Sequence, residues 1–341
     1  MEKHLIRNTA TVVEAMEALN RLSGETMTLF VTDGEGHLLG SLTDGDIRRA
    51  LLKGRGLDDT AESICHSPCL AITRDASTHA YADAPRVIGE ARKRRVMLLP
   101  IVEEGKITSL LDLRFSRGIL PVDAVLMAGG MGERLRPLTE KTPKPLLPVN
   151  GTPIIDHNIS LLRQFGIENI YVSVNYLKDS LKSHLDGTCR IVEEPARLGT
   201  IGSVSLISDF SNPHILVMNA DLLTDIDLEA MYSLHISTDA WLTMASVDYS
   251  VSVPYAIVTH EGTAVTGLQE KPTYNYAANA GIYMLRREAA DLIPFGEYMD
   301  APDLVTALIR LGRRVSLYRH DGKWLDIGSP DDYRRANLPA Y

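Results

Sequence analysis

Residues 122–151 read "VDAVLMAGGMGERLRPLTEKTPKPLLPVNG". An apolar, β-branched run from Val122 to Met127 passes through Ala128 into the turn Gly129-Gly130-Met131-Gly132. Arg134 and Arg136 follow at once, and Lys144 stands between Pro143 and Pro145. The spacing predicts a strand that ends in an anion-binding turn. Glycines let backbone N–H groups close around a phosphate where a Cβ would collide. Arg134 and Lys144 add fixed positive charge for a polyphosphate. The segment reads as a nucleoside triphosphate site.

Two better-known glycine motifs are excluded. A P-loop requires Gly-Lys-Ser or Gly-Lys-Thr, and neither occurs in the chain. The dinucleotide pattern G-x-G-x-x-G begins at Gly130-Met131-Gly132, but Leu135 stands where its last glycine belongs.

Outward from this strand, extended and helical patterns alternate. Strands are expected at 122–128, 170–175, 189–192, 214–219, 240–248, 255–259, 264–269, 277–284 and 314–319. Helices are expected at 154–165, 177–185, 201–208, 227–236 and 301–311. Such alternation implies an α/β fold with a Rossmann-like, mostly parallel sheet, and a ligand crevice at the carboxyl ends of its strands.

The stretch 122–148 resembles the signature of the sugar-1-phosphate nucleotidyltransferase family, (L)AGGxGxRLxPLTxxxPKPLxP. The resemblance runs from about residue 122 to the C-terminus. It implies magnesium-dependent transfer of a nucleotidyl group from an NTP to a sugar 1-phosphate, with release of pyrophosphate. Asp221, after the apolar run "HILVMNA", and Asp326, in "WLDIG", fall on the family's magnesium-bearing motifs. With Arg134 and Lys144 they make the expected catalytic set, and two aspartates suit Mg2+, which keeps waters and phosphate oxygens as its other ligands.

For the sugar phosphate the same resemblance implies Tyr255, Glu270, Lys271, Asn279 and Gly281, with Lys271 gripping the phosphate. For the nucleotide it implies Ala128, Gly129, Gly130, Gly132, Asn175, Gly199 and Thr200, with N–H groups of Leu198-Gly199-Thr200 reading the base. Asp225 and Asp227 are read instead as helix N-capping residues ahead of Leu228. Three positions depart from the family pattern: Ala220 in Asn-Ala-Asp, Ile201 in "LGTIGS", and Ala256 after Tyr255. They are read as altered sugar or base preference.

The N-terminal third holds a weak internal repeat. "MTLFVTDGEGHLLGSL" (27–42) and "MLLPIVEEGKITSLL" (97–111) each read as strand, acidic-Gly turn, strand. Met27 aligns with Met97, Val31 with Ile101 and Gly36 with Gly105. The pair resembles two cystathionine-β-synthase (CBS) motifs, which implies a regulatory or dimerising module over residues 1–118, ahead of a nucleotidyltransferase domain over 119–341. Thr43 and Asp46 fit that family's adenine-nucleotide contacts. The second unit has Asp112 and Phe115 at those places, and a platform for a homo-oligomer without ligand is the alternative. The run Arg92–Arg95 reads as a solvated helix face.

At 341 residues with 45% apolar and 23% charged residues, the chain has the composition of a globular protein of two domains. A net charge of −9 argues against a nucleic-acid surface. No apolar run is long enough to span a bilayer, and no secretory signal opens the chain. Three cysteines without a disulfide framework suggest a reducing cytoplasm. Cys65-His66-Ser67-Pro68-Cys69 lacks a second ligand cluster and reads as loop rather than zinc site.

The fused arrangement resembles a bacterial group that makes activated sugars for surface glycans and nonulosonic acids. GTP with a hexosamine or mannose-type 1-phosphate is the expected pair. Thymidylyl or uridylyl transfer to glucose 1-phosphate is the alternative, as is an inactive regulatory subunit that binds nucleotide through its CBS pair.

Overall fold

A computed structural model describes residues 1–77, 81 and 83–338. The chain divides into two compact units, one of residues 1–121 with 163–166, the other of 122–162 with 167–341.

In the first unit the elements run β1 (Leu5–Arg7), α1 (Val12–Arg21), β2 (Leu29–Thr32), β3 (Leu38–Leu42), α2 (Asp44–Leu52) and α3 (Ala61–Ile64). A second set follows: β4 (Ile72–Thr73), α4 (Ala84–Arg94), β5 (Leu98–Glu103) and β6 (Lys106–Asp112). Helix α1 starts where the Thr11 hydroxyl and the Glu14 carboxylate satisfy each other's backbone N–H groups. It buries Val12, Ala15 and Leu19, an apolar stripe at helical spacing.

The internal repeat is visible in the strand pairing. β1 lies parallel to β2 and β2 antiparallel to β3; likewise β4 lies parallel to β5 and β5 antiparallel to β6. Even the irregularity is shared, with bulges at Val31/Thr32 and at Ile101/Val102. Gly36 and Gly105 have φ of +90° and +81°, the left-handed turn conformation that favours glycine.

In the second unit the order is β7 (Val122–Met127), β8 (Pro148–Val149), β9 (Thr152–Pro153), α5 (Ile154–Gln164), β10 (Ile170–Val174), α6 (Lys178–Leu185), β11 (Arg190–Glu193), β12 (His214–Asn219) and β13 (Leu222–Thr224). Then come α7 (Leu228–Ser237), β14 (Leu242–Ser252), β15 (Ile257–Glu261), β16 (Ala264–Gln269), β17 (Thr273–Arg286), α8 (Arg287–Ala290), α9 (Ala301–Arg310), β18 (Val315–Arg319), β19 (Trp324–Asp326) and α10 (Pro330–Ala336).

Seven strands form the central sheet in the order β11-β10-β7-β12-β17-β14-β18. All neighbours are parallel except across β17, which runs antiparallel to both β12 and β14. β7 and β10 are buried along their length, as continuous apolar strands of a parallel sheet should be. The chain reverses its direction of growth at β7, which places a crevice at the carboxyl ends of β7 and β12. Beyond Ser246 and Asn279, β14 and β17 leave the sheet as a two-stranded ribbon that carries the β15–β16 hairpin.

Two sequence expectations change. The helix expected over 201–208 is a 3-10 turn at Gly202–Leu206, because the Ile201 N–H bonds to the Met299 carbonyl and the Leu198 carbonyl accepts from Met299. β17 begins at Thr273 rather than 277, since the ribbon extends the pairing to Ser252↔Thr273. Among the described residues no helix is long and apolar enough to cross a membrane.

Candidate active site

A cleft of about 400 Å3 opens at the carboxyl ends of β7 and β12. Ala128, Gly130, Gly132, Arg134, Lys144 and Asp221 line it. A Cβ on Gly130 would meet nothing, so that backbone faces open space. Gly132 has φ +62° and lies against Thr139 and Lys144, where a Cβ would come within 2.9 Å of Thr139 Cγ2. Arg134 lies across Gly328 of the "WLDIG" segment, with Nη2 3.2 Å from the place of a Cβ there. Asp221 and Asp326 come together through the ladder of β13 and β19, in which Leu222 pairs with Asp326.

Lys144 joins the two carboxylates. Its ammonium donates to Asp221 Oδ2 and lies 3.8 Å from Asp326 Oδ1. Burial pushes the Asp326 carboxyl up, and the charge of Asp221 adds to this, against the pull of Lys144 and Arg134. Oδ1 of Asp221 and Oδ1 of Asp326 are buried without any hydrogen-bond partner. Buried acceptors normally find a donor, and two such carboxylates about one lysine suit a hard divalent cation. Among the described residues no group of three or more His, Cys, Asp or Glu could hold a metal. A cation here would therefore have two protein carboxylates and take its remaining ligands from water and phosphate.

A second cleft, of about 340 Å3, shares Thr200 with the first. Asn219, Asn279, Tyr283, Asp300, Trp324 and Asp326 line it. The Trp324 indole N–H donates to the Ala280 carbonyl at 2.9 Å, and Asn279 donates to the Tyr283 hydroxyl at 2.5 Å. Gly281, with φ +72°, lies against Asn219, whose Nδ2 would be 2.6 Å from a Cβ.

Arg197 and Thr200 of the segment 194–202 line the first cleft, and the segment differs from expectation. The Leu198 N–H donates to Glu194 Oε2 at 3.3 Å, while the Thr200 N–H and hydroxyl both donate to Asp300 Oδ1. Of the three N–H groups expected to read a base, two thus have partners within the protein. Gly199, at φ +81°, packs against the Met299 carbonyl, 2.4 Å from where a Cβ would sit. Asn175 donates its amide to the Glu194 carbonyl at 3.2 Å and orients that strand end rather than facing the cleft.

Two acids at this segment were not singled out from the sequence. Glu194 is only 6% exposed and lies directly behind Gly129, its carboxylate oxygens 3.0–3.1 Å from a Cβ placed there. Burial pushes its carboxyl up, against hydrogen bonds from Leu198 and Ser173 and the charge of Arg197. Asp300 caps α9; burial raises its carboxyl, but hydrogen bonds from Tyr298 and Thr200 and the charge of Arg197 bring it below the usual range. The sequence signals were slight: an acid four residues before Leu198, and an Asp-Ala-Pro helix start.

Tyr255, Glu270 and Lys271 line neither cleft. All three are exposed where the ribbon turns, Tyr255 to 75%. None of the three departures lines either cleft, though Ile201 follows Thr200 and Ala220 stands between Asn219 and Asp221, which do. Ile201 is fully buried in the apolar core with Val125 and Tyr171, Ala220 is 1% exposed, and Ala256 belongs to the ribbon. Asp227 caps α7 as expected, accepting from the Glu229 and Ala230 N–H groups. Asp225 does not: it accepts from the Lys323 N–H at 2.7 Å.

In the first unit a cleft of about 360 Å3 is lined by Thr43, Ser41, His66, Cys69, Arg94 and Arg95 among others. Asp46 does not line it. Its carboxylate accepts from the Thr43 N–H and hydroxyl and from Arg49, so it closes the α2 capping box. Arg92, Lys93, Arg94 and Arg95 are all exposed, as a solvated helix face should be, and Arg94 and Arg95 also line this cleft.

A profile of the nucleotidyl transferase family matches residues 123–340, and a CBS domain profile matches residues 4–53. The chain belongs to the nucleotidyl transferase family. This nucleotidyl transferase is 32% identical over 230 residues to a mannose-1-phosphate guanylyltransferase of Mycobacterium tuberculosis, covering 63% of this chain and 64% of that one. It is 31% identical over 244 residues to a UTP–glucose-1-phosphate uridylyltransferase of Synechocystis, covering 62% of each. The chain thus spans less than two thirds of the length of these curated relatives. Among solved structures, HddC from Yersinia pseudotuberculosis shares the fold, with TM-score 0.50 at 22% identity over 63% of this chain and 97% of that one.

Proposed function

We propose that the protein transfers a guanylyl group from GTP to a sugar 1-phosphate of the mannose or hexosamine type, giving a nucleotide sugar and pyrophosphate for surface-glycan or nonulosonic acid synthesis. The observation that carries the reaction class is the pair of adjoining clefts that share Thr200, one with the glycine turn, Arg134 and Lys144, the other with Asn219, Asn279 and Asp300. Asp221 and Asp326 would hold Mg2+, which supplies charge neutralisation on the triphosphate when bound.

The residues do positioning and electrostatics. An oxygen of the sugar phosphate forms a bond to the α-phosphorus. The bond from that phosphorus to the bridging oxygen breaks, and its electron pair leaves with pyrophosphate. A phosphate monoester is nucleophilic without a base, so orientation and charge are the remaining needs. Gly130 and Gly132 let the backbone approach the triphosphate, and Arg134 bridges its oxygens. Lys144 keeps the two carboxylates together.

Glu194 lies behind Gly129, lines neither cleft and has one carboxylate oxygen taken by the Leu198 N–H, so the choice of guanine rests on the relatives. The M. tuberculosis relative agrees with this reading. The Synechocystis relative favours uridylyl transfer to glucose 1-phosphate as the second reading. In the N-terminal unit an adenine nucleotide would enter the 360 Å3 cleft near Thr43, and that unit would also carry homo-oligomer assembly.

The test is magnesium-dependent pyrophosphate release with five NTPs crossed against a panel of sugar 1-phosphates. GTP with mannose 1-phosphate should release pyrophosphate. Release with UTP alone would replace guanine by uracil. Silence across the panel, with ATP still binding, would leave the regulatory-subunit reading.

A further inference from the structure

We propose that Asp225 is a positioning residue: it latches the β13–β19 ladder and so sets Asp326 beside Asp221. This rests on the reading of those two aspartates as the magnesium pair. The ladder is short, running from Leu222↔Asp326 to Thr224↔Trp324, and it stands apart from the seven-stranded sheet. A two-stranded pair of that length is marginal by itself. At its active-site end the Ile327 N–H donates to the Asp221 carbonyl at 3.1 Å. The other end needs a closure of its own.

Asp225 provides it with both backbone and side chain. The Asp225 N–H donates to the Lys323 carbonyl at 3.2 Å, and Asp225 Oδ1 accepts from the Lys323 N–H at 2.7 Å. The pair joins across 98 residues of chain and carries the ladder one step beyond Thr224↔Trp324. The Lys323 carbonyl can only accept, so His320 Nε2, 3.0 Å away, carries a hydrogen. The same nitrogen lies 3.2 Å from Thr224 Oγ1 and 3.4 Å from Asp225 Oδ1. His320 is buried, and its backbone N–H donates to the Ser246 carbonyl of β14 at 2.8 Å. The latch is thereby tied to the central sheet. A Cβ on Gly322 would collide with Asp225 Oδ1 and come within 2.6 Å of His320 Cε1, so this turn has room for the latch and little else.

The latch governs the register of one carboxylate against the other. Apolar packing also holds β19, since Leu325 and Ile327 lie in a cluster with Leu135 and Ile154. Such packing is non-directional, whereas the hydrogen bonds of a ladder specify which residues face each other. A slip of one residue would turn Asp326 to the opposite face. Mg2+ demands near-octahedral oxygens at about 2.0–2.1 Å, so a frayed ladder that moves Asp326 and not Asp221 would weaken its hold. The Asp225 side chain is 46% exposed, so removing it leaves little buried and unpaired, and the fold should stand.

The experiment measures Mn2+ binding to the nucleotide-free protein by electron paramagnetic resonance, with pyrophosphate release and melting temperature alongside. The proteins are wild type, Asp225→Ala, Asp225→Asn and Asp326→Asn. D225A should weaken Mn2+ binding about fivefold or more while its melting temperature moves little. Its kcat should fall at limiting magnesium and recover at excess. D225N loses the charge but keeps an acceptor for the Lys323 N–H, and should bind Mn2+ nearly as wild type does. Unchanged affinity in D225A would overturn the proposal. So would an equal loss in D225N, which would mark a charge effect at a distance. Wild-type Mn2+ binding that is absent, or that survives D326N unchanged, would sink the magnesium-pair reading and the latch with it.

Discussion

Asp221 pairs with Lys144 through one carboxylate oxygen and leaves the other buried and unpartnered. Replacing it by asparagine keeps the size and one acceptor but removes the charge. Asp221→Asn should lower kcat by about a thousandfold, with little change in melting temperature, because electrostatic contacts of this kind are worth several kcal/mol at the reacting centre. Activity near that of wild type, read by pyrophosphate release across a magnesium titration, would dismiss Asp221 from the site. The cleft-lining positions of Arg134, Lys144 and Asp221 were legible in the sequence because each follows a strand or glycine turn whose direction the apolar pattern sets. Glu194 and Asp300 were not. Their significance comes from packing against Gly129 and Thr200, and Asp300 meets Thr200 across 100 residues of chain.

Elements follow the same division. The central strands could be read because parallel strands buried on both faces need unbroken apolar runs. The 3-10 turn at Gly202–Leu206 could not, since its geometry is imposed by residues 297–300. One element pair makes the fold sensitive to acid. His214 on β12 and His235 on α7 meet edge to face at 5.1 Å between ring centroids, with Tyr232 edge to face on His214. Burial, joined by Arg286, lowers His214 to about 4; burial, then His214 and Arg286, lower His235 to about 3. Glu288 and Asp239 only partly offset this. Both rings are neutral when folded and titrate near 6.5 when unfolded. Their contribution is therefore complete above about pH 6.5 and is lost as pH falls toward 4 and then 3, by up to ~1.4 kcal/mol per unit for each histidine. Urea midpoints between pH 7.5 and 5 should fall, and His214→Asn should flatten the slope; a flat wild-type profile would refute it.

For the whole molecule, 63% of this chain corresponds to 97% of HddC, so the nucleotidyl transferase fold also occurs in a chain of little more than its own length. Deleting residues 1–118 should accordingly leave kcat for pyrophosphate release within about threefold. The same deletion should change the mass seen by light scattering if the CBS unit carries assembly, and an unchanged mass would argue against that role. The two-unit organisation was legible because the repeat 27–42 and 97–111 stands apart in pattern from the alternation after Val122. The reach of the β14–β17 ribbon was not, since its outer residues alternate like an ordinary strand pair while lacking sheet neighbours on either side.

The ladder of β13 and β19 joins residues 222–224 to residues 324–326. A ribosome building this chain makes the glycine turn, Lys144 and Asp221 long before it makes Asp326. A nascent or prematurely stopped chain ending before Trp324 would carry the glycine turn and Lys144 but only one of the two carboxylates, so the pair forms only once synthesis has passed Asp326.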